Sequence, residues 1–482
     1  MLKGFTRKFK PLEILTEEQI EAIHRGTLDI LETTGVRVEH DRALKLFADH
    51  GCKVDFKEKR VRIPSYLVED CLDKCPSSFA LKARDSKYDL RIGGNTLYFK
   101  QTVGMRYVDL DTWEPRPGTL QEHSEAIRVL DALDTVHMLS GWEFYMDMEG
   151  IPPCMVMLEG LASGIRNSAK SQDMGYSRDC EVFAIKMAKV VGMDLRSVMS
   201  ASPPLTLYED CCEACFRFIE AGFPIDIGSG AVMGGTGPST IAGSTITNNA
   251  EILAGLVLVQ LIRPGTGVLV GDFVFPMDMR FGHPAFGALG SALHQIVFNQ
   301  IWRKYGLPTN NMQVGYSSSK KIDFQNAYER AMSTLLSTLS GANMMSFHGA
   351  VHGELTYHPV MSVLDDDIAG WIGRLIEGVE ITDETMAIDL IEQVGPIPGQ
   401  YLNTEHTRKW WRREQFIPKV ADREPYPEWI KKGKKDAVAL AKERMEEILA
   451  THKPEPLTPK QEEDVDRILE EVRQYYRGKG LM

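Results

Sequence analysis

The sequence lacks several features that would assign it to common protein classes. It has no excess of basic residues, because 67 acidic side chains outnumber 55 basic ones and the formal net charge is -12. Such a chain is unsuited to a nucleic-acid groove or to an anionic membrane surface. We find no apolar run that approaches the ~20 residues needed to cross a bilayer, and no signal-peptide stretch at the N-terminus. We therefore expect a cytoplasmic protein without nucleic-acid or membrane partners.

Cysteine is sparse and is not arranged as a disulfide framework. Eight cysteines are scattered over 482 residues, which is typical of reduced thiols in a cytoplasmic protein. Cys211, Cys212 and Cys215 form a C-C-x-x-C motif on a predicted helix, where a zinc site or a redox pair is one interpretation. No second Cys/His pair lies at zinc-finger spacing. We interpret the three thiols as helix-packing residues.

A phosphate-binding lysine is also missing from the most glycine-rich stretch. Five glycines lie between Gly228 and Gly237, after an apolar run that predicts a strand and before an apolar helix that begins near Ser239. Between Asp226 and Arg263 there is no Lys or Arg, so the loop does not match GxxxxGK[ST]. The loop suits a close-fitting ligand that is not strongly anionic. The alternative is that its glycines only permit a tight turn.

Three regions follow one another along the chain. Residues 1–95 mix amphipathic helices with short antiparallel strands and predict an α+β cap. Residues 96–380 alternate short apolar segments with long helices, which is typical of parallel strand-helix units. Residues 381–482 are charged helices with proline-rich joints. Eight such apolar segments predict a (β/α)8 barrel: 96–108, 136–142, 170–176, 196–202, 223–230, 267–273, 310–316 and 343–349.

Active sites of such barrels lie at the carboxyl ends of the strands, where aromatic residues recur in this sequence. A ring of aromatic faces is the usual way to bind a quaternary ammonium group, which has no hydrogen to donate. The alternative is that the rings merely cover the barrel mouth. The residues at these ends are Tyr107, Trp142, Phe144, Tyr145, Tyr176, Asp226, Met233, Asp272, Phe273, Phe275, Tyr316, His348, His352, Glu354 and Tyr357.

One stretch resembles a known family. MGGTGPSTIAGS followed by NNAEILAGLVLVQLIRPGTGVLVGD is similar to the signature of the trimethylamine methyltransferase superfamily. Its founding members carry pyrrolysine near the end of the barrel, whereas this sequence has only ordinary residues. The chain therefore resembles the non-pyrrolysine branch. That resemblance implies methyl transfer from a quaternary amine, such as glycine betaine, to a corrinoid protein.

The corrinoid is expected on a separate partner protein. Corrinoid-binding proteins typically present a D-x-H-x-x-G loop, and the only similar segment here, DTVHMLSG, has a different spacing and lies in a predicted strand. We expect no cofactor on the chain itself and no catalytic side chain. The protein would then act by orienting the reactants. The charged C-terminal helices, and Trp410 and Trp411 first, are candidates for docking the corrinoid protein or for a homo-oligomer contact.

A betaine also carries a carboxylate, so the site should offer hydrogen-bond donors opposite the rings. His348, Asn249 and the amides of Gly234, Gly235 and Gly237 are the candidates. We expect no metal, because His348, His352, Glu354 and His358 lie on a loop and do not form H-E-x-x-H on a helix. A structural role for His348 remains the alternative.

Other functions stay open from sequence. Asp226 and Asp272 are candidates for an acid-base carboxylate pair. Lys320 and Lys321 are candidates for imine chemistry, although their polar neighbours favour a solvated turn. A non-catalytic betaine-binding barrel is a further class. Among substrates, glycine betaine comes first, and proline betaine, carnitine, γ-butyrobetaine and choline remain open.

Overall fold

A closed barrel of eight parallel strands forms the centre of the structure, a computed structural model that describes residues 4–140 and 144–482. Each strand pairs with the next in chain order, and β8 closes the ring by pairing with β1, Met344 beside Tyr98. The predicted (β/α)8 barrel is confirmed. Its strands are β1 (Thr96–Gln101), β2 (Met138–Leu139), β3 (Ser171–Met174), β4 (Leu195–Ala201), β5 (Ile225–Ser229), β6 (Val268–Asp272), β7 (Thr309–Asn311) and β8 (Met344–His348).

Eight helices surround the barrel, one after each strand. Local sequence sets their starts: Thr119 and Glu122 form a capping box before the first, and Thr240 caps the fifth. The fifth begins at Ile241, two residues after the predicted start near Ser239. The helices are α1 (Leu120–Ala132), α2 (Val156–Asn167), α3 (Cys180–Val191), α4 (Glu209–Glu220), α5 (Ile241–Ile262), α6 (Leu289–Lys304), α7 (Phe324–Ser340) and α8 (Pro359–Ile376).

The expectation that no apolar run approaches membrane-spanning length is wrong for helix α5. Among the described residues it is the one helix that is long and apolar enough to cross a bilayer, with 22 residues. In the structure, 78% of its most apolar window is buried inside the protein. An all-round apolar helix is expected where neighbours cover every face. The strands β5 and β6 and the N-terminal helices provide that cover.

The N-terminal residues cover two parts of the barrel. A helix that ends before Gly35 (φ 71°), as predicted, packs against α5. The hairpin of Ser78–Leu81 and Leu90–Gly93 closes the amino end, where its apolar residues pack with Tyr98 and Leu269. The N-terminal elements are Phe5–Thr6, Glu17–Asp29, Ile30–Thr34 (π), Val36–Val38, Asp41–Asp49, Lys53–Asp55, Arg60–Arg62, Ser65–Lys74, Ser78–Leu81, Ser86–Tyr88 (3-10) and Leu90–Gly93.

The C-terminal helices combine charged faces with buried apolar ones. Pro459–Gly478 packs against α3 and buries Val472 and Tyr476, and Ala437–Thr451 packs against α1 and α8. Trp410 is buried, whereas Trp411 is half exposed. The helices are Asp383–Met386, Ile388–Val394, Glu405–Glu414, Tyr426–Lys431, Ala437–Thr451 and Pro459–Gly478. Short strands in the loops are Arg106–Val108, Pro115–Arg116, Thr206–Leu207, Val232–Met233, Phe275–Asp278, His283–Pro284 and Thr356–Tyr357.

Four charged side chains meet inside the barrel. Lys100 Nζ lies 2.7 Å from Asp173 Oδ2, Arg196 contacts the same carboxylate, and Arg196 Nη2 lies 3.3 Å from Asp226 Oδ2. Asn310 donates a hydrogen bond of 2.8 Å to Asp226. Burial lowers the pKa of Lys100 and raises the pKa of Asp226, while the opposite charges act against both shifts. Two cations and two carboxylates thus form a layer without net charge.

This ion layer leads to the first prediction. An Asp173→Asn variant leaves Lys100 and Arg196 with a single carboxylate in a dry interior. We expect the free energy of unfolding, measured by urea denaturation, to fall by about 3–5 kcal/mol. The control is Asp70→Asn, whose partner Lys74 is at the surface, and which should cost less than about 1 kcal/mol. Equal small losses in both variants would contradict a coupled ion layer.

Candidate active site

Four aromatic rings meet at the carboxyl ends of β6 and β7. Phe273 lies edge-on to Phe275, with ring centroids 4.9 Å apart, and to Tyr316 at 5.7 Å. Phe286 packs on Phe275 at 4.6 Å and on Tyr316 at 5.9 Å. Phe275 and Tyr316 are buried, whereas Phe273 and Phe286 are partly exposed. We call these four residues the open aromatic cluster.

A glycine, a hydrogen bond and a hairpin position the rings of this cluster. Phe273 directly follows β6, and a Cβ at Gly230 would lie 3.2 Å from its ring, so the glycine leaves room for it. The amide of Val103 donates to the Tyr316 hydroxyl at 3.2 Å. Phe286 arrives from the far side of the hairpin of Phe275–Asp278 and His283–Pro284. The sequence did not predict Phe286, because this residue lies far along the chain from the end of any barrel strand.

Glu354 brings a carboxyl group to the same region. Its neighbour Gly353 faces Phe286, since a Cβ there would lie 2.6 Å from that ring. Burial raises the pKa of Glu354 to about 7. Burial and then the charge of Glu354 raise the pKa of Tyr316. In the described part of the chain, no Lys, Arg or His forms an ion pair with Glu354. An unpaired carboxyl group beside aromatic rings can accept a cation.

Basic side chains lie at the rim of the open aromatic cluster. A cavity of about 460 Å³ there is lined by His283, Lys320 and Lys321, among others, and by Ala285, the residue before Phe286. Burial, followed by the charges of Lys320 and His283, lowers the pKa of His352. Asp278 and Asp323 line the same cavity, so the rim carries charges of both signs. Lys320 and Lys321 are exposed, as their predicted position in a solvated turn requires.

A second group of rings is sealed. Phe144 stacks on Tyr357 with centroids 4.3 Å apart, Tyr145 lies edge-on to both, and Tyr107 packs on Tyr145 at 5.7 Å. Phe144, Tyr145 and Tyr357 are 0% exposed, so none presents a face to a ligand. We call this group the closed aromatic cluster. The predicted ring of aromatics is therefore two separate clusters.

Another predicted aromatic, Tyr176, belongs to neither cluster. Tyr176 is partly buried against the main core, and its hydroxyl lies 3.5 Å from the carbonyl oxygen of Ser200. Trp142 lies outside the described residues.

His348 does not point toward the barrel mouth. Its Nε2 lies 2.8 Å from the Thr135 hydroxyl, which donates to Asp366, and its ring meets Phe99 edge-on. The side chain is 0% exposed, and burial lowers its pKa to about 3. The register of β8 shifts between Ser346 and His348, so the alternation of faces is broken. This placement corrects the expected carboxylate contact and fits the structural alternative.

The glycine loop uses its own amides. Gly234 donates to the carbonyl of Gly237 at 2.9 Å, while Gly235 and Gly237 both donate to Val232 at 2.9 and 3.1 Å. Met233 is buried against Ala231 and Val274. The loop is thus the tight turn of the alternative interpretation, and its amides are not offered to a ligand.

The Asn-Asn-Ala-Glu segment is structural as well. Asn249 accepts a hydrogen bond of 3.0 Å from the indole of Trp302, and Glu251 accepts from the Ser229 hydroxyl and, at 2.7 Å, from the Leu205 amide. These contacts tie α5 to β5, to α6 and to the loop after β4. Asn249 is therefore not placed as a donor to substrate.

The two candidate carboxylates do not form a pair. Asp226 points into the barrel and contacts Arg196 and Asn310. Asp272 points outward, where its Oδ2 lies 3.2 Å from His294 Nδ1 and accepts a hydrogen bond of 2.8 Å from Gln313. The two residues occupy opposite faces of the pleat, which excludes a shared proton.

The remaining candidates have separate surroundings. His358 lies 2.8 Å from the Tyr107 hydroxyl and caps α8 through the Val360 amide, away from Thr135, the partner of His348. Cys211, Cys212 and Cys215 are buried in the main core, which confirms their interpretation as packing residues.

The chain matches the sequence profile of the family described as trimethylamine methyltransferase (MTTB) over residues 1–474. A glycine betaine methyltransferase of Desulfitobacterium hafniense (strain Y51) is 33% identical over 460 residues, covering 92% of this chain and 94% of that protein. The trimethylamine methyltransferase MttB of Desulfitobacterium hafniense (strain DSM 10664 / DCB-2) is 30% identical over 477 residues, covering 96% and 94%.

A solved structure has the same fold. The hydroxylamine complex of MtmB superimposes with a TM-score of 0.53, at 11% sequence identity, over 97% of this chain and 89% of that one. At this identity the likeness concerns the fold alone.

The raised pKa of Glu354 can be tested by infrared spectroscopy. With a pKa of about 7, its carboxyl group should be protonated at about pH 6 and ionised at about pH 8. Infrared difference spectra between these pH values should show a carboxylic-acid band whose intensity falls in Glu354→Gln. Burial also raises the pKa of Glu251 to about 7. Subtracting the spectrum of Glu354→Gln from that of the native protein removes the contribution of Glu251. The exposed Glu149→Gln should leave the band intact, and an unchanged band in Glu354→Gln would disprove the assignment.

Proposed function

We propose, because this chain belongs to the trimethylamine methyltransferase family, that it removes a methyl group from a quaternary amine. Glycine betaine is the proposed substrate and dimethylglycine the product. The observation that carries the proposal is the open aromatic cluster with Glu354 beside it. Aromatic rings attract a cation without requiring a hydrogen bond from it, and a carboxylate without an ion-pair partner adds charge attraction.

The cation is the group that these residues would hold. Each aromatic face contributes about 0.5–2 kcal/mol of cation–π attraction. Phe273 and Phe286 are partly exposed and are the rings that a ligand can reach. Ionised Glu354 adds a full negative charge in partly desolvated surroundings, where Coulomb attraction is stronger than in water.

The opposite pole of the substrate would lie toward the rim. His283 and Lys320 line the cavity beside Ala285 and replace His348 as the candidate partners of a carboxylate. His352 is a third candidate, because the charges of Lys320 and His283 act on it. The choice of glycine betaine is supported by the relative named glycine betaine methyltransferase, which is 33% identical over 92% of this chain. Carnitine, γ-butyrobetaine and choline carry the same trimethylammonium head, and proline betaine carries a quaternary N,N-dimethyl nitrogen in its ring; these are the substrates to compare.

The methyl acceptor is proposed to be a corrinoid carried by a separate protein. A reduced corrinoid supplies a cobalt nucleophile, which the side chains of this protein do not. A quaternary nitrogen leaves as a neutral tertiary amine, so no residue here needs to donate a proton. The task of the open aromatic cluster is then to fix the nitrogen and to exclude water, and orientation of this kind can lower a barrier by about 7–11 kcal/mol.

Methyl transfer from the amine to the corrinoid protein can be tested directly. The protein, a corrinoid protein reduced to Co(I) and each candidate amine are mixed, and methyl-cobalt absorbance and the demethylated amine are measured. Glycine betaine should yield both products in equal amounts. Turnover of trimethylamine but of none of the quaternary amines would overturn the substrate. Binding of betaine without methyl transfer to any reduced corrinoid protein would favour a non-catalytic binding barrel.

A matched ligand pair tests the charge recognition. Glycine betaine and 3,3-dimethylbutanoate have the same shape, but the second has carbon in place of the charged nitrogen. Calorimetry should show tighter binding of betaine, and Glu354→Gln should weaken betaine at least about tenfold while changing the carbon analogue little. Because a bound cation favours ionised Glu354, betaine affinity should rise as the pH increases through about 7 and should be nearly flat in Glu354→Gln.

Phe273→Leu removes a π face but keeps apolar volume. It should reduce the preference for betaine by about 0.5–2 kcal/mol. The control is Phe144→Leu in the closed aromatic cluster, which should lower stability without changing the ratio of the two affinities. The role of the open aromatic cluster is excluded if Phe273→Leu weakens both ligands equally.

A further inference from the structure

A cavity of about 300 Å³ lies at the end of the barrel opposite the open aromatic cluster. Residues that precede or begin strands line it: Asn95 before β1, Thr309 at the start of β7 and Asn343 before β8. The N-terminal segment supplies Arg7 and α6 supplies Arg303. The cavity is separate from the proposed methyl-transfer site.

Arg7 is an unusual residue to find there. Its side chain is 3% exposed, its Nε has no hydrogen-bond partner, and its Nη2 reaches only Asn95 Oδ1 at 3.4 Å. In the described ranges no carboxylate forms an ion pair with Arg7. Burial, and then the positive charge of Arg303, lowers the pKa of Arg7. The guanidinium stays charged at neutral pH, because arginine does not lose its proton in proteins.

Arg303 adds a second cation to the same cavity. Its Nη1 donates to the Ser340 carbonyl at 2.6 Å, and its Nη2 pairs at 2.7 Å with Glu13, which is 61% exposed. Of the two guanidinium groups, Arg303 alone pairs with this carboxylate, which is on the solvent side. A buried charge without a partner is costly. The chain has a net charge of -12, yet none of its acidic residues within 4–140 and 144–482 forms an ion pair with Arg7.

We propose that this cavity binds a phosphate-type oxyanion between Arg7 and Arg303. Guanidinium groups match the oxygens of tetrahedral oxyanions in two parallel hydrogen bonds. Ser77, Ser78 and Asn95 provide further polar groups on the wall. The bound anion would pair with the guanidinium of Arg7 and join the N-terminal segment, which is hydrogen-bonded to the start of β1, to the outer helices.

The test compares phosphate and chloride at equal ionic strength on the full chain. Inorganic phosphate should raise the unfolding temperature of the native protein beyond the effect of chloride, and sulfate should do the same, because a ligand of the folded state stabilises it. Broadening of the phosphate ³¹P resonance should report binding directly. In Arg7→Met and Arg303→Met the phosphate-specific increase should disappear, with a Kd at least about tenfold higher.

Two controls make the result decisive. Arg444→Met removes a surface arginine that pairs with Glu447 and should respond to phosphate like the native protein. Phe273→Leu, in the open aromatic cluster, should keep the full phosphate effect, which separates this site from the proposed substrate site. The proposal is overturned by a phosphate effect that survives in both arginine variants, or by the absence of any phosphate-specific effect in the native protein.

Discussion

The buried charges of Lys100, Asp173, Arg196 and Asp226 are the constraint on which the barrel depends. None of these charges is stable alone in a dry interior, so the strands β1, β3, β4 and β5 must be present together to balance them. Lys100 on β1 and Asp173 on β3 make their contact across the intervening β2. The layer also separates the two ends of the barrel, with apolar packing toward the amino end and the candidate site beyond its other face.

On the carboxyl-end side of that layer, two glycines leave space for the side chain of Met312. Gly228 and Gly271 lie on adjacent strands in register, and a Cβ at either would come within 2.7 or 2.5 Å of the Met312 methyl group. The open aromatic cluster lies beyond them, in the loops that follow β6 and β7. The closed aromatic cluster occupies the β1, β2 and β8 side, packed against α1. The barrel mouth is therefore asymmetric, with one side built for packing and the other accessible to a ligand.

The stretch that resembles the family signature has a structural role. The glycine loop is a self-bonded turn, and Asn249 and Glu251 tie α5 to neighbouring elements. Both features hold the longest helix of the barrel in place. The same stretch that identifies the family thus says little about the substrate, which would instead be selected by residues in the loops after β6, β7 and β8.

The sequence was enough to predict the order of eight strands and eight helices, because the spacing of apolar residues and the positions of turn residues are local properties. One stretch of the sequence was enough to predict the family. The sequence also placed Phe273, Phe275 and Tyr316 at strand ends. Tertiary structure alone decided which side chains face the site. A register shift in β8 turned His348 outward, the pleat separated Asp226 from Asp272, and a hairpin brought in Phe286. The direction in which a side chain points depends on strand register and on contacts between distant segments, which a local sequence pattern does not encode.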